Sequence, residues 1–476
     1  MALALVSIGC ATMADPAGPA AAPEPAAAPR APARPAMAAV PRVPASTAVD
    51  ITEASVRGHL EFLASDALNG RGSGTRDEWL AATYVGAQFR QWGLEAMGDN
   101  GGFVQAIEMA GAQATAPPVL TAGGVRVVHG EAMVVWSMTS ASVSGPLVKH
   151  APDADVPAGA VVLVSEGVQP NSVTGAALVL APATPRQQGQ WDARGSRLPG
   201  MPARAVKLTS AAPTRASVVY LDEPTHAALS AMPAGTAMSF EAAVELTEST
   251  YTWNAVGRLQ GGGPNADREV VVLSAHLDHV GSRGEGDDTI YNGADDDASG
   301  TVAVMELARA LANGPQPRRT IVFALFGSEE RGGLGAGYFV DLPVVPLDDI
   351  VADLQFEMIG RPDPLVPPQT LWLTGYERSN LGAALADRGA RLVADPHPEQ
   401  NFFNRSDNIR FARRGIVAHT VSSFGLHEQY HRPNDEIEFV DFVHMTEAIR
   451  SMLEPVRWLA DSDFVPEWAP GGRPGG

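Results

Sequence analysis

The sequence is poor in cysteine: Cys10 is the single one among 476 residues. One cysteine cannot form a disulfide within the chain, and it cannot supply a cysteine-rich metal site. Any metal that this chain binds must therefore be held by histidine, aspartate and glutamate.

Basic residues are also in deficit, with 34 lysines and arginines against 54 aspartates and glutamates and a net charge of −20. No basic cluster offsets this balance, which argues against a nucleic-acid surface. No stretch is long and apolar enough for a membrane-spanning helix. The G-x-G-x-x-G and P-loop fingerprints are missing too, so nothing indicates a nucleotide site.

Residues 1–48 combine a short apolar start, MALALVSIGC, with a tract dominated by alanine and proline. The start lacks the lysine or arginine of a signal peptide, but Cys10 after SIG resembles a bacterial lipoprotein acceptor. The tract cannot build a core and predicts a semi-extended tether. We expect an exported, periplasmic or envelope-anchored protein with a lipid anchor at Cys10; a disordered cytoplasmic tail is the competing interpretation.

The rest of the chain divides by composition and hydrophobic pattern into four further segments. Residues 49–111 predict two helices and the N-terminal part of a catalytic domain. Residues 112–250 are sparse in charge and predict a β-rich inserted domain, and residues 463–476 are a Gly/Pro-rich tail. Residues 251–462 alternate buried apolar strands with helices, which predicts an α/β fold with a mostly parallel central sheet flanked by helices.

In such sheets, ligands bind beyond the carboxyl ends of the strands. Histidines and carboxylates follow the predicted strands at those ends: His276, Asp278 and His279; Asp295, Asp296 and Asp297; Glu329 and Glu330; Glu357; and His431. Asp278 is placed to fix the tautomer of His276, whereas His279 reads as a spare donor behind the ligands or at the surface. Three consecutive aspartates repel one another unless a cation or backbone donors offset them, although acids before a helix are ordinarily caps.

A histidine and carboxylate shell without cysteine suits catalytic zinc. The oxygens suffice for two metal ions bridged by one aspartate, a pair that activates water and clamps a substrate carbonyl. One glutamate must then stay unligated as the general base.

The string H-E-x-x-H at His427, Glu428 and His431 is the zinc signature of another class of metalloproteases, where it lies on a helix. Gly425 and Pro433 confine it to about two turns of helix without an apolar stripe. We therefore expect a loop here, from which His431 alone binds metal.

The blocks AHLDHVG, NGADDDASG, SEERGGLGA, QFEMIG and YHRPND, in this order, resemble the M28 family of co-catalytic zinc exopeptidases. The resemblance implies a protease-associated (PA) domain as the insert and two Zn²⁺ ions bridged by Asp295. It assigns His276 and Glu357 to one ion and Glu330 and His431 to the other. It makes Glu329 the general base and Asp278 the residue that orients His276. Glu357 stands where many family members have aspartate.

The implied function is an aminopeptidase that removes N-terminal residues from peptide substrates. A carboxypeptidase of the same family would need a cation for the terminal carboxylate, for which Arg361, Arg405 and Arg432 are candidates. A glutaminyl-cyclase-like enzyme and a catalytically inactive peptide-binding protein are two further hypotheses for the same residues.

Overall fold

The computed structural model describes residues 49–151, 156–208 and 216–475. The predicted tether and Cys10 lie outside these residues. No helix in the described ranges is long and apolar enough to cross a membrane.

The helices are named in chain order. They are α1 (Glu53–Leu63), α2 (Arg76–Gln91), α3 (Pro185–Gln188), α4 (Trp191–Gly195), α5 (Glu223–Ala231), α6 (Gly300–Ala312), α7 (Leu334–Asp341), α8 (Leu381–Ala386), α9 (Asn408–Arg413) and α10 (Phe442–Asp461).

The strands are named in the same way. They are β1 (Glu95–Ala96), β2 (Val104–Ala114), β3 (Val119–Ala122), β4 (Val125–Val128), β5 (Met133–Ser137), β6 (Ser142–Lys149), β7 (Ala160–Leu163), β8 (Ala176–Pro182), β9 (Gly200–Ala205), β10 (Ser217–Leu221), β11 (Ala237–Glu241), β12 (Val244–Leu246), β13 (Thr250–Leu259), β14 (Val270–His276), β15 (Gly281–Ser282), β16 (Ile290–Tyr291), β17 (Thr320–Phe326), β18 (Ile350–Phe356), β19 (Leu371–Leu373), β20 (Leu392–Ala394) and β21 (Ala418–Ser422).

The larger sheet has the order β12-β2-β13-β17-β14-β18-β21-β19-β20, with β1 and β9 pairing beside this path. Its centre is parallel: β14 pairs with β17 and β18, and β18 pairs with β21, all in the same direction. The flanking pairs β13–β17 and β19–β21 are antiparallel. The predicted α/β class is confirmed, and the parallel arrangement holds for the four central strands.

Both faces of this sheet are covered, which explains the unbroken apolar runs in its central strands. All seven residues of β14 and all seven of β17 are buried. One face packs against α1, α2, α6 and α10, and the other packs against α7 and α9. The parallel strands therefore end together at one edge, where only the connecting loops cover them.

A second, eight-stranded sheet has the order β4-β3-β11-β6-β7-β8-β10-β5 and its own apolar core. It is built from residues 119–241, inside the segment for which a β-rich insert was predicted. β9 comes from the same segment of the chain but lies outside this sheet, and it pairs antiparallel with β2 of the larger one. The division into domains and the PA-like character of the insert stay predictions.

Candidate metal centre

The site lies where β14, β17, β18 and β21 end. β14 closes on His276, Glu329 and Glu330 follow β17, Glu357 follows β18, and His431 lies in the loop after β21. The three aspartates occupy a short π-helical turn, Ala294–Ser299, in front of α6. The topology therefore brings together residues that are far apart in the chain.

Four side chains converge there. His279, Asp296, Glu330 and His431 each offer one ligand atom, and these four atoms lie within 4.8 Å of one another. The Nε2 atom of His431 is 3.1 Å from Oδ2 of Asp296 and 3.0 Å from Oε1 of Glu330. Nδ1 of His279 is 2.9 Å from the same Glu330 oxygen.

The donor set fits a divalent cation. Nε2 of His279 is buried without a hydrogen-bond partner, and the close contact of its Nδ1 with Oε1 of Glu330 lacks hydrogen-bond geometry, whereas buried polar atoms are normally paired. Burial lowers the pKa of His431, but the Asp296 and Glu330 carboxylates outweigh it and raise that pKa to about 10. Two histidines and two carboxylates without sulfur form a ligand set that suits zinc.

Another candidate ligand, His276, lies near the other oxygen of Asp296. Oδ1 of Asp296 lies 3.3 Å from Nε2 of His276. The two carboxylate oxygens of Asp296 therefore lie near different histidines. Burial raises the pKa of Glu357 to about 7, and the charge of His276 opposes that shift. This is the arrangement that one carboxylate shared between two cations requires.

The structure differs from the sequence prediction at Asp295. The Asp295 carboxylate accepts hydrogen bonds from the Gly360 N–H at 2.7 Å and from the Ser299 hydroxyl at 3.2 Å. Its other oxygen lies 2.8 Å from Nε2 of His427. The Asp296 carboxylate, by contrast, lies 3.1 Å from Nε2 of His431. Asp296, not Asp295, therefore faces the cluster.

Asp297, the third aspartate, holds the surrounding backbone together. Its carboxylate accepts hydrogen bonds from the backbone N–H groups of His276 at 3.2 Å, Gly300 at 3.0 Å and Met358 at 3.0 Å. These groups belong to the end of β14, the start of α6 and the loop after β18. The acid before the helix is thus a cap, as such acids ordinarily are.

Asp278 is fully buried and contacts more than His276. One of its oxygens lies 3.7 Å from Nδ1 of His276, and its carbonyl oxygen lies 3.2 Å from the same nitrogen. Its carboxylate also accepts the backbone N–H groups of Glu329 at 2.9 Å and Glu330 at 3.4 Å. Asp278 therefore places the two glutamates as well as the histidine ring.

Glu329 is half-buried beside this cluster. Burial raises the pKa of Glu329 well above its usual range; His276 opposes the rise, and the neighbouring Asp407, Glu357 and Glu330 carboxylates add to it. A carboxyl with a raised pKa is suited to receive a proton and release it again near neutral pH. Glu329 is not one of the four converging side chains, so the geometry gives it no ligand role there.

Buried Glu78 of α2 supports the backbone before Glu329. Its Oε1 accepts hydrogen bonds from the Ser328 N–H at 2.7 Å and the Thr252 hydroxyl at 2.8 Å, and its Oε2 accepts from the Gly74 N–H at 2.8 Å. Burial raises the pKa of Glu78 to about 8. Ser328 has φ 52°, a left-handed conformation that these contacts help to hold.

Arg71 anchors the backbone on the opposite side of the site. Its buried guanidinium donates to the carbonyl oxygens of Leu63, Leu277, Asn292 and Gly293. Burial lowers the pKa of Arg71, and nearby aspartates oppose that shift. The Arg71 guanidinium therefore connects the loop after β14 to the loop that carries the aspartates. Nothing in the sequence indicated this contact.

The H-E-x-x-H string lies in a loop and turn, as the flanking glycine and proline predicted. His431 has φ 54° and faces Asp296 and Glu330. His427 instead contacts Asp295, and Glu428 is exposed. The two histidines therefore do not face one cation, as the helical motif would require.

A small cavity of about 40 Å³ adjoins Glu357. Apolar and aromatic side chains form much of its wall: Met358, Trp372, Phe402, Phe424 and Tyr430. Arg405 lies at this cavity and stacks over the Phe402 ring, 4.9 Å from its centroid. Of the other two candidate arginines, Arg361 pairs with Asp435 at 2.9 Å, and Arg432 is exposed in the turn.

Comparisons with known proteins agree on one family. Residues 254–454 match the sequence profile of Peptidase family M28. The chain is 35% identical to leucine aminopeptidase 2 of Trichophyton equinum over 183 residues, which are 37% of this chain and 34% of the relative. It is 34% identical over 122 residues to the protein of Mycobacterium tuberculosis named probable lipoprotein aminopeptidase LpqL, covering 25% of this chain and 23% of that one.

Among solved structures, the zinc aminopeptidase BSAP from Bacillus subtilis aligns with 89% of this chain and 98% of its own, at 17% identity and a TM-score of 0.48. The chain spans only about a third or less of the length of the curated relatives it matches.

Proposed function

Because the chain contains a Peptidase family M28 domain, homologous to leucine aminopeptidases, we propose that it is a zinc-dependent aminopeptidase that removes N-terminal residues from peptides. The observation that carries the proposal is the convergence of His279, Asp296, Glu330 and His431 on one point, with His276 on the other oxygen of Asp296.

We assign the ligands from this geometry. His279, Glu330 and His431 would hold one ion, His276 and Glu357 would hold the other, and Asp296 would serve both in the role that the resemblance gave to Asp295. When bound, the ions lower the pKa of a water molecule and polarise the substrate carbonyl.

The proton transfers belong to Glu329. It accepts a proton from the attacking water and passes it to the leaving amine, which its half-buried position and raised pKa support. Asp278 acts through its contacts: it holds the backbone N–H groups of Glu329 and Glu330 and lies against Nδ1 of His276.

The cavity beside Glu357 supports an apolar N-terminal residue. Its aromatic wall offers apolar surface next to the proposed metal ligand, and burying an aliphatic side chain there stabilises the complex by roughly 1.5–3 kcal/mol. A carboxypeptidase of the same family is the second candidate, because the exposed guanidinium of Arg405 at this cavity could meet a terminal carboxylate.

An exported or envelope-anchored location belongs to the same proposal. The Mycobacterium tuberculosis relative is named a lipoprotein aminopeptidase, and a peptidase outside the cytoplasm would meet peptides from the surroundings.

The test combines metal analysis of the purified protein with Leu-p-nitroanilide and N-acetyl-Leu-Leu as substrates. We expect about two zinc ions per chain, hydrolysis of the first substrate and none of the second. Glu329→Gln should keep the metal and lose turnover by at least about a hundredfold, the lower range for a general base.

Glu428→Gln is the matched control, because Glu428 is exposed in the H-E-x-x-H string and should leave both readouts unchanged. Full activity of Glu329→Gln would contradict the proposed mechanism. Cleavage of N-acetyl-Leu-Leu alone would favour the carboxypeptidase.

A further inference from the structure

A second, larger cleft begins at Glu329 and runs away from the aromatic cavity. It has a volume of about 510 Å³, is open to solvent and lies between the Pro202–Leu208 segment, α7 and the chain at 404–410. Four arginines line it: Arg204, Arg331, Arg405 and Arg410. In a chain with a net charge of −20, this concentration of cations beside a proposed general base indicates a ligand of opposite charge.

Two of these four arginines form no ion pair with the acidic residues of the cleft. Asp341 pairs with Arg414, which lies outside the cleft wall. Arg410 donates to the Gly332 carbonyl and lies near Asp407. Arg331 and Arg405 are exposed, and the ion pairs of the described residues include neither. The Phe402 ring holds the Arg405 guanidinium in place while leaving its N–H groups free for a carboxylate.

The position of Glu329 indicates which part of a peptide substrate would lie in the cleft. A general base that protonates the leaving amine must lie on the leaving-group side of the scissile bond. The aromatic cavity lies on the Glu357 side, and Arg405 and Ser406 line both spaces. The N-terminal residue of a substrate would therefore enter the aromatic cavity, and the rest of the peptide would follow the arginine-lined cleft.

We propose that this cleft binds a carboxylate on the leaving part of the peptide, through Arg331 and Arg405. The carboxylate is the C-terminal one of a short peptide or the side chain of an acidic residue just after the scissile bond. This inference rests on the proposed function. It makes the substrates short peptides with a free C-terminus or peptides with an acidic second residue, because the guanidinium fork matches carboxylate geometry.

The test compares substrates that differ in one charge. Leu-Leu against Leu-Leu-amide probes the terminal carboxylate, and Leu-Asp-amide against Leu-Asn-amide probes the side chain. We expect kcat/KM to be about tenfold higher for the charged member of at least one pair, mainly through KM, and the ratio to fall as salt screens the charges. The pair that shows the preference identifies the source of the carboxylate.

The double variant Arg331→Gln, Arg405→Gln should bring this ratio close to one. Arg126→Gln is the matched control, because Arg126 is an exposed arginine on β4, outside the cleft, and it should keep the ratio.

Equal kcat/KM within both pairs in the unmodified protein would overturn the inference, and so would a ratio that the double variant retains. Failure of the proposed function looks different: a protein without peptidase activity would cleave none of the four substrates, and a carboxypeptidase would be recognised by cleavage of N-acetyl-Leu-Leu.

Discussion

Replacing Asp296 and Asp295 separately by asparagine is the sharpest test of the metal centre, because the two residues are adjacent and chemically identical. Asp296 presents Oδ2 to His431 at 3.1 Å and Oδ1 to His276 at 3.3 Å. Asp295 directs its oxygens to Gly360, Ser299 and His427. Asp296→Asn therefore removes a negative charge that lies between His431 and His276. Asp295→Asn removes a negative charge from a carboxylate that forms hydrogen bonds with the surrounding residues.

The expected magnitudes differ accordingly. Asp296→Asn leaves one neutral oxygen in place of the two carboxylate oxygens to which the proposal assigns the two ions, so we expect metal affinity to fall by more than the roughly 10–100-fold typical of a lost supporting contact. Asp295→Asn keeps the acceptor for the Gly360 N–H, and His427 can change tautomer to accept from the new amide. Asp295→Asn should lower the free energy of unfolding by about 1–2 kcal/mol, near the contribution of one hydrogen bond to a charged group.

Metal content after dialysis against a weak chelator, read together with hydrolysis of Leu-p-nitroanilide, separates the two variants. Asp296→Asn should lose metal and activity, whereas Asp295→Asn should keep most of both. Circular dichroism spectra of both variants control for misfolding. Retention of both metal ions by Asp296→Asn, with loss by Asp295→Asn, would refute the reasoning and restore the assignment made from the sequence.

Three other substitutions test further parts of the structure. Arg71→Met leaves four buried carbonyl oxygens without their donor and should lower the free energy of unfolding by about 3–5 kcal/mol; urea denaturation measures it, and a loss below about 1 kcal/mol would contradict the anchoring role. His279→Phe removes a proposed direct ligand and should weaken metal retention in chelator competition by more than the roughly 10–100-fold of a lost supporting contact, and unchanged retention would remove His279 from the ligand set. Burial raises the pKa of Asp353 to about 8 from 3.8, so the folded state binds an extra proton and its stability falls as pH rises between those values. Asp353→Asn should therefore stabilise the fold at pH 8 by on the order of 1–4 kcal/mol and hardly at pH 4; equal gains at both pH values in thermal melts would show that burial of the charge is not the cause.

The sequence predicted those structural features that a single physical effect determines. Continuous apolar runs predicted the central strands, and the rule that ligands bind at strand ends placed His276, Glu330, Glu357 and His431 at one edge. The turn residues around the H-E-x-x-H string excluded a helix there. These features depend on local pattern and on topology, both of which a single sequence carries.

The details that depend on side-chain direction were beyond the sequence. Nothing in three consecutive aspartates tells which one faces the cluster, because that depends on how the turn Ala294–Ser299 folds. His279 was taken for a spare donor because its ligand role requires the chain to turn back after β14. Arg71 and Glu78 act on backbone and side chains that are distant in the sequence, and no local pattern records such contacts.

The pairing of β9 with β2 has a consequence for how this architecture can vary. Met109 of β2 lies opposite Ala205, and Ala110 lies opposite Arg204, so one bank of the arginine-lined cleft is joined to the catalytic sheet by main-chain hydrogen bonds. Trimming this segment would therefore take a strand from the larger sheet and remove Arg204 from the cleft wall. A change of length or sequence near β9 is thus transmitted to the cleft through main-chain hydrogen bonds.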